Sequence, residues 1–277
     1  MHQVVVITGC ADGMGRHVAT RLAKRGVSVA GFDIDEAGIA SLEKELAEIG
    51  GDHLLEVIDI TDRGRILTFR DSVLETFGHV DTVLSNVGIG FFSPFEEADL
   101  DAALRCLDIN VIGASAIFQA FLPSMRQRRR GKLIAMSSLV GRIPFPFEAI
   151  YTASKFAITG LMLAIRLEVR PFGIDVAIIE PAQVSTRFAA KIHALPPEGS
   201  PYRERARRFI ARDNALIKTA PTPAYAAGKI VKVVLAKKVS LFNQIDFSST
   251  FFLWINKALP RAIRDAILVN YMGIKVK

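Results

Sequence analysis

Tyr151 and Lys155 stand four positions apart in Tyr151-Thr152-Ala153-Ser154-Lys155, a spacing that puts both side chains on one face of a helix. A free tyrosine, with a pKa of about 10, is a poor base at neutral pH. A neighbouring ammonium favours its phenolate form. Such a pair could take a proton from an alcohol while hydride leaves the carbon, or return that proton in the reverse direction. The same spacing is common on ordinary helix surfaces. Its weight therefore depends on what surrounds it.

A second candidate site lies near the amino terminus. Thr8-Gly9-Cys10-Ala11-Asp12-Gly13-Met14-Gly15 follows an apolar strand-like run and opens a helix-like one. Glycines there let the backbone turn tightly and approach a pyrophosphate, whose charge a helix N-terminus favours. Asp33 closes the second strand-like run, 18 positions beyond Gly15, where an acid suits ribose hydroxyls. Its carboxylate would repel a 2′-phosphate, Asp12 adds negative charge, and Ile34 supplies no cation. Arg16 is the nearest exception, but its position after Gly15 places it in the helix. The expected cofactor is therefore NAD, with NADP second. Asp35 is free to cap the next helix, which leaves Asp33 for the ribose.

These sites need a scaffold. β-Branched apolar runs at Val4–Thr8, Val27–Phe32, His53–Ile58, Thr82–Ser85, Lys132–Ser137 and Asp175–Ile179 alternate with helical patterns near 14–25, 36–49, 62–77, 99–127 and 152–170. That alternation predicts right-handed βαβ units and a parallel sheet: an α/β, Rossmann-type, doubly wound, three-layer fold. With no repeat or low-complexity linker, 1–277 reads as one domain. Residues 186–220, polar and punctuated by proline, read as a substrate lid. A further helix near 222–237 opens on Thr222-Pro223. The stretch 248–277 reads as an apolar, helical carboxyl-terminal extension, divided at Pro260.

The ordered set of motifs resembles the short-chain dehydrogenase/reductase family over residues 3–190. The matching elements are Thr8–Gly15, Asp33, Asp59-Ile60, Asn86-Val87-Gly88, Asn110, Ser138, and Tyr151 with Lys155. The resemblance implies a role for each. Asn110, Ser138, Tyr151 and Lys155 would be catalytic: Ser138 binds the substrate oxygen, Lys155 holds the nicotinamide ribose and lowers the pKa of Tyr151, and Asn110 holds a water. Thr8, Gly9, Asp12, Gly13, Met14, Gly15 and Asp33 would hold the dinucleotide, with Asp59 and Ile60 at the adenine and Asn86 and Gly88 near the ribose. Glu180-Pro181-Ala182-Gln183-Val184-Ser185-Thr186 is similar to the family's PGxVxT segment. It would set Pro181, Val184 and Thr186 against the nicotinamide. Ala182 replaces the family's glycine, and Ser85 and Val87 depart from its NNAG pattern. Ser137 competes with Ser138, though its side chain should point elsewhere.

Phe91, Phe92, Val140, Ile143, Phe145, Phe147 and Phe188 are expected to line the substrate space. They point to a bulky apolar alcohol or ketone such as a steroid, retinoid or fatty-acyl derivative, and Arg170-Pro171-Phe172-Gly173-Ile174 is similar to the steroid- and retinoid-oxidising branch. Two other readings stay open: an NADPH-dependent reductase of 3-ketoacyl or ketosphingoid substrates, and a catalytically silent, nucleotide-sensing or membrane-associated interaction protein.

The net charge of +7 comes from 35 Lys+Arg against 28 Asp+Glu. The basic clusters at Arg126–Arg130 and Arg203–Arg208 lack interleaved aromatics to stack bases, so no nucleic-acid partner is expected. The two cysteines, Cys10 and Cys106, suggest neither a disulfide framework nor a metal site. The amino terminus lacks a signal-peptide pattern, and no apolar run approaches the length of about 20 residues that spans a bilayer. A cytoplasmic homodimer or homotetramer is expected, with peripheral membrane contact through 248–277 as an option.

Overall fold

The strand runs become a seven-stranded, wholly parallel sheet because their β-branched residues are buried on both faces. The computed structural model describes residues 3–185 and 195–275. The strands are β1 (Val4–Thr8), β2 (Ser28–Asp33), β3 (His53–Val57), β4 (Thr82–Ser85), β5 (Gly131–Met136), β6 (Ile174–Glu180) and β7 (Phe242–Gln244). Their order is β3-β2-β1-β4-β5-β6-β7. The chain reverses its direction of winding between β1 and β4, and ligands of such sheets bind beyond the strand ends at that point.

The helices are α1 (Gly13–Ala23), α2 (Glu36–Ile49), α3 (Arg63–Phe77), α4 (Leu100–Leu107), α5 (Ala114–Arg128), α6 (Ala149–Val169), α7 (Arg203–Lys218), α8 (Pro223–Leu235), α9 (Phe247–Ala258) and α10 (Arg261–Tyr271). Local chemistry sets several of their starts. The side chains of Asp35, Asp62 and Thr222 accept from the amides of Gly38, Arg65 and Tyr225 to cap α2, α3 and α8. One sheet face packs against α3, α5 and α6, where Phe69 meets Phe32 and Phe121 edge to face at 5.2 and 6.4 Å. The other face packs against α1, α2 and α8.

Three features depart from the sequence expectation. The single helix expected over 99–127 is divided by a π-helical turn, Asp108–Gly113, which no residue pattern marks. β7 has only three residues, too few for a periodic signal, and is recruited by backbone pairing of Phe242 with Ile178. Leu100–Arg128 and Ala149–Phe172 also prove long and apolar enough, by length and composition, to cross a membrane. In this fold much of that apolar surface (Ile117, Phe118, Phe121, Ile158, Met162) faces the sheet.

Phe92, Phe147, Ala206, Phe209, Met272 and Ile274 form a separate small core. It ties α7 and the segment after α10 to the body of the protein. The Arg205 and Arg212 Nε atoms donate to the carbonyls of Ile274 and Tyr271, at 3.3 and 3.0 Å, so these arginines serve the same junction.

Candidate active site

The glycine loop lies at the winding reversal, held from both sides. Thr8, fully buried at the end of β1, accepts with its Oγ1 from the amides of Asn86 and Val87 beyond β4, each at 3.0 Å. The Asn86 amide donates to the carbonyls of Thr8 and Gly9 at 3.2 and 2.9 Å. Asn86, expected beside the cofactor ribose, thus braces the loop with its side chain. Gly9 and Gly13 have positive φ, and a Cβ on Gly15 would lie 2.0 Å from the Gly9 carbonyl oxygen. The Asp12 side chain does not cap α1, and the first turn of α1 carries no acid. Its amide donors and positive dipole end therefore suit an anion.

Asp33 ends β2 beside this loop. Its Oδ2 accepts from the Ala11 amide at 3.0 Å and its Oδ1 from the Asp35 amide at 3.1 Å. Arg16 turns away along α2: it pairs with Glu45 at 2.9 Å and donates to Ser41 and to the Ala11 and Gly38 carbonyls. Asp59 follows β3, where the Thr61 amide and hydroxyl donate to it and hold its carboxyl below the usual range. Ile60 is buried beneath it. A Cβ on Gly88 would stand 3.3 Å from both Lys155 Nζ and Asn110 Oδ1, so glycine keeps this approach open. The loop, α1 and Asp33 together fit a dinucleotide.

The structure gathers Asn110, Ser138, Tyr151 and Lys155 into one hydrogen-bonded neighbourhood. Asn110, in the π turn, accepts from the Ile89 amide at 2.8 Å. It donates to the Ile89 carbonyl at 2.9 Å and to Ser154 Oγ at 3.0 Å. Ser154 in turn donates to the Tyr151 carbonyl at 2.7 Å. Ser138 follows β5, and its hydroxyl is hydrogen-bonded with Tyr151. Ser137 faces the other way, toward the Lys155 carbonyl and Thr159, as its alternation along the chain requires.

The charge balance of the pair differs from expectation. Burial raises the Tyr151 pKa well above its usual value, and the nearby Glu148 carboxyl raises it further. Burial also lowers the Lys155 ammonium, to about 8. Its Nζ donates to the Met136 carbonyl at 3.0 Å and lies 5.6 Å from the Tyr151 ring centre.

A cavity of about 100 Å³ opens beside Ser138 and Tyr151. Val140, Phe145 and Val184 line it. Phe92 and Phe147 do not; both are used in the small core with Phe209, at ring separations of 5.5 to 5.8 Å. Phe91 and Ile143 are partly buried and are not among the lining residues. Pro181 accepts with its carbonyl from the Leu139 amide, joining the ends of β6 and β5. Thr186 and Phe188 lie outside the described residues. The sequence reading missed Leu139, Glu148, Ala182, Gln183, Asp213 and Ile217 as lining residues. Glu148, three before Tyr151, carried a usable helical spacing; Asp213 and Ile217 reach the cavity from α7 with no local signal.

Comparison with known proteins agrees with this architecture. The family model for short chain dehydrogenase matches residues 3–195. Human 17-beta-hydroxysteroid dehydrogenase type 1 is 35% identical over 201 residues, covering 70% of this chain and 61% of that protein. The chain thus spans about three-fifths of that relative. Rat dehydrogenase/reductase SDR family member 7B is 30% identical over 264 residues, covering 93% of this chain and 78% of the relative. A short-chain dehydrogenase from Streptomyces avermitilis superposes with a TM-score of 0.80 at 25% identity, covering 100% of this chain and 98% of the other. The chain belongs to the short-chain dehydrogenase/reductase family.

Proposed function

We propose that this protein is an NAD-dependent oxidoreductase that interconverts a secondary alcohol and a ketone, or a primary alcohol and an aldehyde, on a bulky substrate with an apolar body. The observation that carries the reading is the convergence of Asn110, Ser138, Tyr151 and Lys155 beside the glycine loop, at the winding reversal of the sheet. A bound nicotinamide dinucleotide supplies the hydride acceptor or donor. Ser138 holds the reacting oxygen, and the Tyr151 hydroxyl moves the proton. Lys155 contributes positive charge and ribose contacts through Nζ. The Asn110 side-chain amide is already engaged with Ile89 and Ser154, so a proton path through this residue uses its backbone carbonyl. Asp59, Ile60, Gly88, Pro181 and Val184 complete the cofactor cradle on this reading, and Thr186, outside the described residues, is assigned to it by the family resemblance alone.

Two contacts support NAD. Asp33 ends β2 against the glycine loop, where a carboxylate would repel a 2′-phosphate, and Arg16 is committed to Glu45. The name of the human relative supports a steroid-like substrate. Incubating the protein with steroid, retinol and long-chain secondary alcohols plus NAD, and following NADH absorbance, tests the proposal. NADPH-driven reduction of 3-ketoacyl substrates with no NAD-linked oxidation would replace it with the reductase reading.

The surface supports two partner proposals. Leu104, Phe156, Leu163 and Leu167 leave an apolar face on the adjacent α4 and α6, and a second copy of the chain would cover it. Leu167→Glu is expected to convert a dimer to a monomer in size-exclusion chromatography with light scattering. On α9, Phe247, Phe251 and Trp254 are exposed at helical spacing, with Lys257 in the last turn and Arg261 opening α10, a pattern suited to an anionic membrane surface. Co-sedimentation with phosphatidylserine vesicles, lost on deletion of residues 248–277, tests that contact; unchanged partitioning rejects it.

A further inference from the structure

The turn that carries Ser138 is tied to the end of β6 at two points. At its start, the Pro181 carbonyl accepts from the Leu139 amide at 2.8 Å and from Ser138 Oγ at 3.4 Å. At its end, Arg142 Nη1 donates to Glu180 Oε1 at 3.3 Å. Glu180 directly precedes Pro181, so both ties grip one dipeptide. The second Glu180 oxygen accepts from Gln244 Nε2 on β7 at 2.7 Å, and the Arg142 guanidinium lies 4.3 Å from the centre of the Phe242 ring. The Glu180 side chain is 0% exposed and that of Arg142 37%. The turn also abuts α6, since a Cβ on Gly141 would stand 3.0 Å from the Lys155 carbonyl oxygen. A buried ion pair adds little stability over well-packed apolar side chains of similar size. What it adds is direction, because charge-assisted hydrogen bonds have a defined geometry.

We propose that Arg142 and Glu180 are positioning residues that set the separation between Ser138, which holds the reacting oxygen, and the Pro181–Val184 segment, which faces the nicotinamide. The inference rests on the dehydrogenase reading of this site. With the Pro181 contacts alone, the turn could pivot about that carbonyl and carry Ser138 with it. The tie at Arg142, on the far end of the turn, removes that freedom. Neither side chain lines the cavity beside Tyr151. Their effect therefore passes through the backbone: from Arg142 along the turn to Ser138, and from Glu180 across one peptide bond to Pro181. Misplacing reacting groups by about 1 Å can cost about 100-fold in rate. Loss of the pair should slow hydride transfer far more than it weakens NAD, which the glycine loop and Asp33 hold elsewhere.

The test uses the full chain with NAD and two secondary alcohols, 1-tetralol and 2-decanol, each also deuterated at the carbinol carbon. Arg142→Met and Glu180→Leu together replace the pair by apolar side chains, so the double variant should melt near the unaltered protein. Its kcat should still be lower by about tenfold or more, with the dissociation constant for NAD within about twofold. Its primary deuterium isotope effect should be at least as large as that of the unaltered protein. A double variant with unaltered kcat overturns the inference and leaves the dehydrogenase reading standing. A smaller isotope effect shows that some other step has slowed, and overturns it as well. In Arg142→Gly, guanidinium chloride at a non-denaturing concentration should restore part of the lost kcat, where sodium chloride at equal ionic strength does not. Equal responses to the two salts overturn the role given to Arg142. Should the double variant not fold, this rescue decides. No oxidation of either alcohol by the unaltered protein overturns the inference and the dehydrogenase reading together.

Discussion

Asp33 and Ala11 are joined across 22 residues by a hydrogen bond in which the Ala11 amide donates to Asp33 Oδ2 at 3.0 Å. The end of β2 and the glycine loop are therefore one unit, and the acid proposed to read the ribose also shapes the loop. The unaltered protein should favour NAD over NADP by about tenfold or more in kcat/KM, since a carboxylate facing a phosphate is repelled. Asp33→Ala should reduce that ratio to near one. It should also lower stability by about 1–3 kcal/mol, because the Ala11 amide loses its acceptor. Steady-state kinetics with both cofactors and thermal melts check the two effects separately.

Tyr151→Phe keeps the ring and removes the proton carrier. Its kcat should fall by about 100-fold to 10,000-fold, with the dissociation constant for NAD, measured by calorimetry, changing little. Burial and Glu148 hold the Tyr151 hydroxyl above its usual pKa, so the phenolate is scarce at neutral pH. Alcohol oxidation, which needs the phenolate, should therefore rise with pH through the alkaline range. Ketone reduction, which needs the phenol, should not. Parallel pH profiles in the two directions check the sign.

The sequence carried most of what positions this site, because the parallel strands and the glycine turn are encoded locally. Val4–Thr8 is buried along its whole length, and Asp35 caps α2 through Gly38, as adjacent residues dictate. What escaped was long-range. Phe92 and Phe147 looked like substrate contacts because they flank the motifs, yet Phe209, Met272 and Ile274 arrive from far along the chain to bury them. That the Asn86 amide donates to the Thr8 and Gly9 carbonyls left no mark in the residue spacing. The π turn at Asn110 carries a side chain that bonds the Ile89 backbone, which no residue spacing reveals.

Glu148 links pH to stability. Its carboxyl is raised from the ordinary value of 4.5 to about 8 in the fold, chiefly by burial. An acid shifted upward is accommodated while protonated, so its penalty grows as pH rises from about 4.5 to about 8 and is constant above that. Glu148→Gln removes the titration. Its melting temperature relative to the unaltered protein should therefore be about 5 °C or more higher at pH 8 than at pH 5. Equal differences at the two pH values would count against the shift.

Phe209 is fully buried between α7 and the body of the protein. Phe209→Ala should cost about 3–5 kcal/mol of local stability through the cavity it leaves. The loss should appear as faster amide exchange in α7 and α10, with β1 and β4 still protected. Since Asp213 and Ile217 reach the cavity from α7, KM should rise more than kcat falls.

The small core around Phe209 also bears on the order in which the chain takes shape. During synthesis, β1 to β6 and the glycine loop can pair before Met272 and Ile274 exist. The dinucleotide cradle can therefore mature early. The roof over the reacting carbon waits for residues made some 60 positions after Phe209, so a ribosome-bound nascent chain should hold cofactor before it can hold substrate.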